Sequence, residues 1–140
     1  DSSSGDRDAA IVKFGPDGDL VWARAALGAD GGQRPHVVAA AEDGSAFVAG
    51  HHGLPDTAEA ALVMRVAADG TLLWQRALVG NGDVGASIFS GMADPSGGVV
   101  LAGTVGDYQD EVDAFIVKVD ASGEIVWQRS WGVPGSPDRA

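Results

Sequence analysis

The segment "DGTLLWQRAL", residues Asp69 to Leu78, occurs three times in the chain in similar form, and this repetition is the main indication of the fold. "DGDLVWARAA" (17–26) precedes it and "SGEIVWQRSW" (122–131) follows it. The tryptophans that the three segments share are 52 and 53 residues apart: Trp22, Trp74 and Trp127. A fixed period of this length is typical of proteins that stack similar structural units.

Other positions recur in fixed register with each tryptophan. An aliphatic residue lies eleven positions before each tryptophan, a basic residue nine before, a glycine four before and an arginine two after. In the first unit these are Ile11, Lys13, Gly18 and Arg24; in the second, Val63, Arg65, Gly70 and Arg76; and in the third, Ile116, Lys118, Gly123 and Arg129. A second block, "GSAFVAG" (44–50), recurs as "GGVVLAG" (97–103). Each block ends on a glycine 24 residues before a tryptophan, Gly50 or Gly103. Agreement of several residue types indicates a true internal repeat.

Each unit is predicted to contain four short β-strands. In the middle unit these cover 36–41, 46–51, 61–66 and 71–78, because runs of β-branched, aromatic and aliphatic residues lie between Gly- and Asp-rich turns. The turns suit a short loop whose glycine has a positive φ. Strict alternation places Leu72, Trp74 and Leu78 on one face of the last strand, and Leu73 and Ala77 on the other.

Apolar residues on both faces of these strands predict sheets stacked between other sheets. Four antiparallel strands in a unit of about 50 residues describe a blade of a β-propeller. The predicted fold is therefore all-β, with about two and a half blades. A single-domain β-sandwich is the alternative, although it does not require such a regular repeat.

The repeat resembles the bacterial β-propeller repeat of secreted and cell-surface proteins. The segments that carry the resemblance are "DAFIVKVDASGEIVWQRSWG" (113–132) and "DAAIVKFGPDGDLVWARA" (8–25), and the middle unit departs from the pattern at Ala60 and Met64. "DGTLLWQ" also resembles the tryptophan-docking motif of quinoprotein propellers. The resemblance implies a propeller fold and a secreted or cell-surface bacterial setting, but no single activity.

The phase of the repeat predicts how the chain is divided. Residues 1–28 correspond to half a blade (its third and fourth strands), 29–80 and 81–132 to two full blades, and 133–140 to the start of another blade or a tail. Closed propellers use about four to eight blades. The expected partners are thus further blades, from the same protein or from identical chains. The chain is a piece of a longer propeller, a unit that self-associates, or an open, capped arrangement.

Composition excludes several function classes. The formal net charge is −11 and there are only two lysines, which argues against binding to nucleic acids and anionic membranes. No cysteine is present, so disulfides and thiolate metal sites are excluded. The sequence contains no run of about 18 apolar residues, so it predicts no transmembrane helix. Solubility is the simplest explanation of the acidity.

The acidic loop "GDYQDEVD" is the main candidate metal site. Its oxygens suit calcium, the one cofactor that the sequence suggests, at Asp107, Asp110, Glu111 and Asp113. A solvated acidic loop explains the same residues, and Asp-Gly turn chemistry explains Asp17, Asp19, Asp69, Asp120 and Glu124 without an ion. His51 and His52, with Asp56 and Glu59, could bind a transition metal, but adjacent strand residues point to opposite faces.

Little in the sequence suggests catalysis. Ser87, Ser90 and His36 could in principle contribute to a hydrolytic triad, but no nucleophile-elbow motif surrounds either serine. The three tryptophans are predicted to pack between blades, with a sugar-binding platform as the alternative. Their neighbouring arginines are predicted to pack their stems and pair with carboxylates. We therefore expect a non-catalytic binding or scaffold module. The alternatives are part of a propeller hydrolase, lyase or quinoprotein with its active site elsewhere, and a unit whose role is assembly.

Overall fold

A computed structural model describes residues 10–25, 33–52, 60–78, 85–107 and 111–132. These residues form ten β-strands joined by turns, and no helix occurs among them. The strands are β1 (Ala10–Phe14), β2 (Leu20–Ala25), β3 (Gln33–Ala40), β4 (Ala46–His52), β5 (Ala60–Val66), β6 (Leu72–Leu78), β7 (Gly85–Ala93), β8 (Val99–Asp107), β9 (Glu111–Val119) and β10 (Ile125–Trp131).

The strands form three antiparallel sheets in which each strand pairs with its neighbour in sequence. The first sheet contains β1 and β2, the second contains β3 to β6, and the third contains β7 to β10. The prediction of an all-β chain is confirmed. The predicted unit boundaries after residues 28 and 80 lie outside the described residues.

Five hairpin turns share one backbone conformation. In each, the first residue donates its N–H to the carbonyl four residues later, and a glycine donates to the carbonyl three residues before it. In the β5–β6 turn, for example, Ala67 N lies 2.8 Å from Thr71 O and Gly70 N lies 3.0 Å from Ala67 O. The glycines have φ between 81° and 92°, a region that side chains with a Cβ disfavour. This conformation explains why a glycine recurs four residues before each tryptophan.

The second sheet is packed on both faces. Toward the third sheet, one core cluster contains Val37, Ala39, Phe47, Ala49, Ala61 and Val63 of the second sheet with Ala86, Ile88, Val99, Leu101, Val117 and Val119 of the third. On the opposite face, Val48, Leu62, Met64 and Val66 pack against Ile11 and Trp22 of the first sheet. Complete burial of one such side chain contributes about 1.5–3 kcal/mol, so these two faces hold the stack of sheets together.

A β-bulge corrects one prediction about β6. The register shifts so that Val66 pairs with Leu72 and Arg65 pairs with Trp74, which leaves Leu73 as an additional residue. Strict alternation was wrong in placing Leu72 beside Trp74: Leu72 packs toward the first sheet and Trp74 toward the third. The bulge inverts the parity of the strand, because one inserted residue exchanges the two faces.

A second bulge explains the glycine that ends each "VAG" or "LAG" block. The register shifts between Pro35 and Val37, opposite Gly50, and at the equivalent place in β7, opposite Gly103. A Cβ at Gly50 would overlap the carbonyl oxygen of Arg34, so only glycine allows β3 and β4 to approach at the bulge. The first strand of the middle unit also begins at Gln33, three residues before its predicted start.

Candidate functional site: a repeated docking contact between sheets

The indole nitrogens of two tryptophans connect consecutive sheets. Trp22 Nε1, on β2, donates a 2.9 Å hydrogen bond to the carbonyl oxygen of Ala68 in the second sheet. Trp74 Nε1, on β6, donates a 2.9 Å hydrogen bond to the carbonyl oxygen of Ala121 in the third sheet. Each acceptor lies two residues before the glycine of a hairpin turn. The same docking contact is therefore made twice, between equivalent residues.

The turn glycine supplies the surface on which each ring lies. A Cβ at Gly70 would lie 3.0 Å from Cδ2 of Trp22, and a Cβ at Gly123 would lie 3.2 Å from Cδ2 of Trp74. Such distances are tighter than ordinary van der Waals contact, so a side chain at either position would displace the indole. Glycine thus has two roles, since it adopts the positive φ of the turn and admits the tryptophan of the preceding sheet.

A basic side chain shares each acceptor carbonyl with the indole. Lys13 Nζ lies 3.2 Å from Ala68 O, and Arg65 Nη1 lies 2.7 Å from Ala121 O. A carbonyl oxygen has two lone pairs and can accept both bonds. The basic residue and the tryptophan stand opposite each other in register, as Lys13 with Trp22 and Arg65 with Trp74. This pairing explains the basic residue that recurs nine positions before each tryptophan.

Arg65 is the most connected of these basic residues. Its Nη2 lies 2.8 Å from Asp43 Oδ2, and its guanidinium carbon lies 5.3 Å from the centre of the Phe47 ring. The Phe47 and Trp74 rings are tilted against each other with centroids 6.0 Å apart. Charge-assisted hydrogen bonds, a cation–π contact and an aromatic pair therefore converge on one docking contact.

The arginine after the tryptophan adds an ion pair in one of the two contacts. Arg76 pairs with Glu124, the residue that follows the turn glycine of the third sheet. Both side chains are about half-exposed, so the pair contributes at most about 1 kcal/mol. Thr71 stands at the equivalent position of the middle turn. The charge of Arg24 there acts on Asp69 instead and is a minor cause of the lowered pKa of that carboxylate.

Four aspartates in the hairpin turns have pKa values below their usual range. Hydrogen bonds from Ser45 lower the pKa of Asp43, the backbone N–H of Thr71 lowers that of Asp69, and Ser122 lowers that of Asp120. A hydrogen bond from Lys118 is the largest cause of the lowered pKa of Asp94, whose Oδ2 lies 2.6 Å from Lys118 Nζ. These carboxylates stabilise turns, as Asp-Gly turn chemistry predicts.

The two ends of the stack carry unmatched halves of the docking contact. No atom of the described part of the chain lies within 4 Å of a Cβ built on Gly18, whereas the two equivalent glycines each support an indole. At the other end, Trp127 is 38% exposed, and its indole makes no hydrogen bond within the described residues. Among the described residues, therefore, nothing docks on the turn of the first sheet, and Trp127 of the third sheet docks on no turn.

The first strands of the second and third sheets, β3 and β7, bring together a small aromatic cluster. The bulge residues His36 of β3 and Phe89 of β7 have ring centroids 5.7 Å apart. His36 Nε2 also lies 3.1 Å from Nδ1 of the buried His51, a distance at which one ring donates and the other accepts. The sequence missed this cluster because it depends on two bulges in different sheets.

The candidate metal sites gain no support from the described residues. No group of three or more His, Asp or Glu side chains in that part of the chain could hold an ion. Asp110, Asp56 and Glu59 lie outside the described residues. Asp107 and Glu111 pair across the β8–β9 hairpin, and the carboxylate of Asp113 lies against Gly132. The calcium and transition-metal hypotheses therefore stay predictions.

The candidate triad residues differ in their exposure to solvent. Ser87 is 1% exposed, Ser90 is exposed, and the ring contacts of His36 are to His51 and Phe89. A cleft of 470 Å³ also lies between the second and third sheets, lined by Leu78, Phe115, Val117, Ile125 and Gln128 among others. Most of its lining residues are apolar, and Gln128, Arg129 and Ser130 are the polar ones. In this described part of the chain the lining includes no carboxylate or imidazole, the groups most used in general acid–base catalysis.

No protein-family model matches the chain, and no curated protein matches it either. The resemblance to propeller repeats consequently depends on the repeated residues alone. Within the described ranges, no helix has the length and apolar character that crossing a membrane requires.

Proposed function

We propose that this chain is a non-catalytic β-propeller scaffold module in which each sheet is a blade docked to the next by a tryptophan. One observation carries the proposal: the contact of an indole and a basic side chain with a turn carbonyl is made identically at two successive interfaces. A β-sandwich has a single interface between two sheets and supplies no reason for a repeated, directional contact.

The use of the polar residues also supports a structural role. Arg65, Asp43 and Glu124 form ion pairs between or within sheets, and Asp94 pairs with Lys118. Carboxylates can act as acids and bases in enzymes, but those of Asp43, Asp94 and Glu124 are paired here with basic side chains. The module would offer a rigid frame on which loops or further blades present binding surfaces.

Adding one repeat tests the propeller architecture directly. A second copy of residues 81–132, joined after residue 132, is expected to form another four-stranded sheet that docks on Trp127. The stability of stacked repeats grows with each interface, so the midpoint of denaturant unfolding should rise. The same extension in a Trp127→Ala chain should lose most of that gain. An extended chain with an unchanged midpoint, or a gain that survives Trp127→Ala, contradicts the proposal.

The setting of the module is proposed from the resemblance alone. We place it in a secreted or cell-surface bacterial protein, where such repeats are found. Antibody detection in fractionated source cells tests this assignment. Recovery of the protein only from the cell interior would refute it.

A further inference from the structure

We propose that a second copy of this chain docks its 15–19 turn on the outward face of the third sheet, with Trp127 as the anchor. The inference rests on the proposed function, because it treats the contact between copies as a third instance of the contact between blades. Two surfaces carry it: the donor face, which contains Lys118, Trp127 and Arg129, and the acceptor turn, residues 15–19.

The donor face reproduces the arrangement that is docked elsewhere in the molecule. Trp127 pairs in register with Lys118, and Arg129 with Ile116. These pairs match Trp74 with Arg65 and Arg76 with Val63 in the second sheet. Since Val117 and Val119 of β9 are buried against the second sheet, the alternate positions on β9 and their partners on β10 face away from it.

The donor face is also apolar beneath its tryptophan. Val100, Ala102 and Ile116 are only partly buried, whereas the equivalent residues of the second sheet, Phe47, Ala49 and Val63, are members of the core. Trp131, 55% exposed, extends the same face. A face of this composition is covered at the previous interface, whereas no described residue of the chain covers it here, which indicates that it is a docking surface.

The acceptor turn has the shape that the other two turns have with an indole in place. Its backbone hydrogen bonds are the same, and Gly18 has a φ of 85°. The residue two positions before Gly18 is Pro16, and its carbonyl corresponds to the acceptor carbonyls that Ala68 and Ala121 supply in the other two turns. Proline lacks an N–H but keeps its carbonyl, so the substitution leaves the acceptor intact.

The strand beside the acceptor turn exposes the matching apolar floor. Val12 is 44% exposed and Phe14 is 61% exposed. Their equivalents in the second sheet, Met64 and Val66, are each 3% exposed because the first sheet covers them. Burial of such side chains contributes about 1.5–3 kcal/mol each when it is complete.

Charge complementarity favours an identical chain as the occupant. Asp19 follows Gly18 as Glu124 follows Gly123, and Glu124 is the partner of Arg76. Arg129 donates a 2.9 Å hydrogen bond to the carbonyl of Gln128, next to it in the same strand, and forms no ion pair among the described residues. In the docked pair, Arg129 of one copy meets Asp19 of the other, while Lys118 and Trp127 both donate to the carbonyl of Pro16.

Two different surfaces make a head-to-tail contact. The donor face of one copy binds the acceptor turn of the next, so each dimer retains one free surface of each kind. Such an interface adds copies until rotation closes a ring. A two-fold dimer uses one self-complementary patch and stops at two copies.

The test is the mass of the purified chain by light scattering at concentrations from about 1 to 100 µM, a range that covers weak association. Wild type should increase in mass with concentration. Trp127→Ala should weaken association at least about 30-fold, as loss of a binding hot spot does. Leu73→Ala is the matched control, since it removes an exposed apolar side chain from the middle sheet and should have no effect.

A charge exchange identifies the two surfaces. Arg129→Glu should weaken association, and Asp19→Arg in the same chain should restore it by at least about tenfold. Trp127→Ala retains its acceptor turn, so a small amount mixed with wild type should cap the growing assembly and lower its mass. Restoration and capping together support head-to-tail docking. Failure of the charge exchange to restore association, or absence of capping, overturns it.

The outcomes separate this inference from the proposed function. A wild type that stays monomeric at about 100 µM, or one whose association ignores both Trp127→Ala and Arg129→Glu, overturns docking between copies. The blade proposal is then still supported if an added repeat stabilises the chain through Trp127. If the added repeat fails as well, both proposals are wrong.

Discussion

Replacing Trp74 with alanine tests the docking contact where all its parts are present. The lost indole hydrogen bond to Ala121 is worth about 0.5–1.5 kcal/mol. Loss of the aromatic pair with Phe47 adds about 0.5–1.5 kcal/mol. Removal of a partly buried indole costs about 2–3 kcal/mol in apolar contact. The carbonyl of Ala121 retains its bond from Arg65, so no unsatisfied acceptor adds to the cost. The total is about 3–6 kcal/mol, which overlaps the usual range of about 3–5 kcal/mol for loss of a core tryptophan.

Denaturant unfolding, followed by the β-sheet circular dichroism signal at about 1 µM, measures this loss without depending on tryptophan fluorescence. Trp127→Ala is the matched control, because its indole is undocked within the described residues, and it should cost less than about 1 kcal/mol. Trp74→Phe keeps an aromatic ring without the donor and should cost about 1–2 kcal/mol. Equal losses for Trp74→Ala and Trp127→Ala would refute the claim that docking, rather than aromatic content, stabilises the stack.

Three further predictions concern the turns, the bulge and the aspartates. Gly18→Ala should lower the free energy of unfolding by about 1–2 kcal/mol, through its positive φ alone. Gly123→Ala should lower it by at least about 1 kcal/mol more in the same unfolding assay, because its Cβ also meets the docked indole; equal losses would contradict this. Gly103→Ala places a Cβ on a carbonyl oxygen of β7 and should lower the free energy of unfolding by more than about 3 kcal/mol; a near-native melting temperature would show that the bulge adapts. The pKa values of Asp94 and Asp120 are lower in the folded chain than the ordinary value of 3.8, so their stabilisation is present above that pH and is lost as the pH falls through the folded values. The free energy of unfolding should therefore decline below about pH 4 in an acid titration, and Asp94→Asn should flatten the decline; an unchanged acid slope in that variant contradicts the assignment.

The sequence predicted the strands because their signals are local. The hairpin glycines and the runs of apolar residues each depend on neighbouring residues, and the structure has strands at all four predicted places in the middle unit. The parity of Leu72 could not be predicted, because a bulge has no fixed sequence signature and yet exchanges the faces of a strand. The extra residue recurs as Val21 in β2 and Val126 in β10, so the bulge belongs to the repeat.

The partner of each tryptophan could not be predicted either, because the acceptor is a backbone carbonyl. Ala68 and Ala121 have side chains that reveal nothing about the bond their carbonyls accept. A signal was nevertheless present: a basic residue stands nine positions before each tryptophan on a face that is otherwise apolar. A repeated long donor in such a place indicates a repeated acceptor, which here is the turn of the next sheet.

Recognition through backbone also explains how the repeats can diverge while the sheets still stack. The turns "GPDG", "AADG" and "DASG" differ at most side-chain positions, yet all three share the carbonyl and the glycine that the contact needs. Ion pairs vary, since Glu124 is present in one turn and Thr71 in another. On our proposal, docking within a chain and docking between copies are the same interaction at different effective concentrations. A short connection supplies an effective concentration near the millimolar range, whereas separate copies must supply their own. The proposal therefore predicts that the two internal contacts form at any protein concentration, whereas a contact at Trp127 forms only where a further sheet is available.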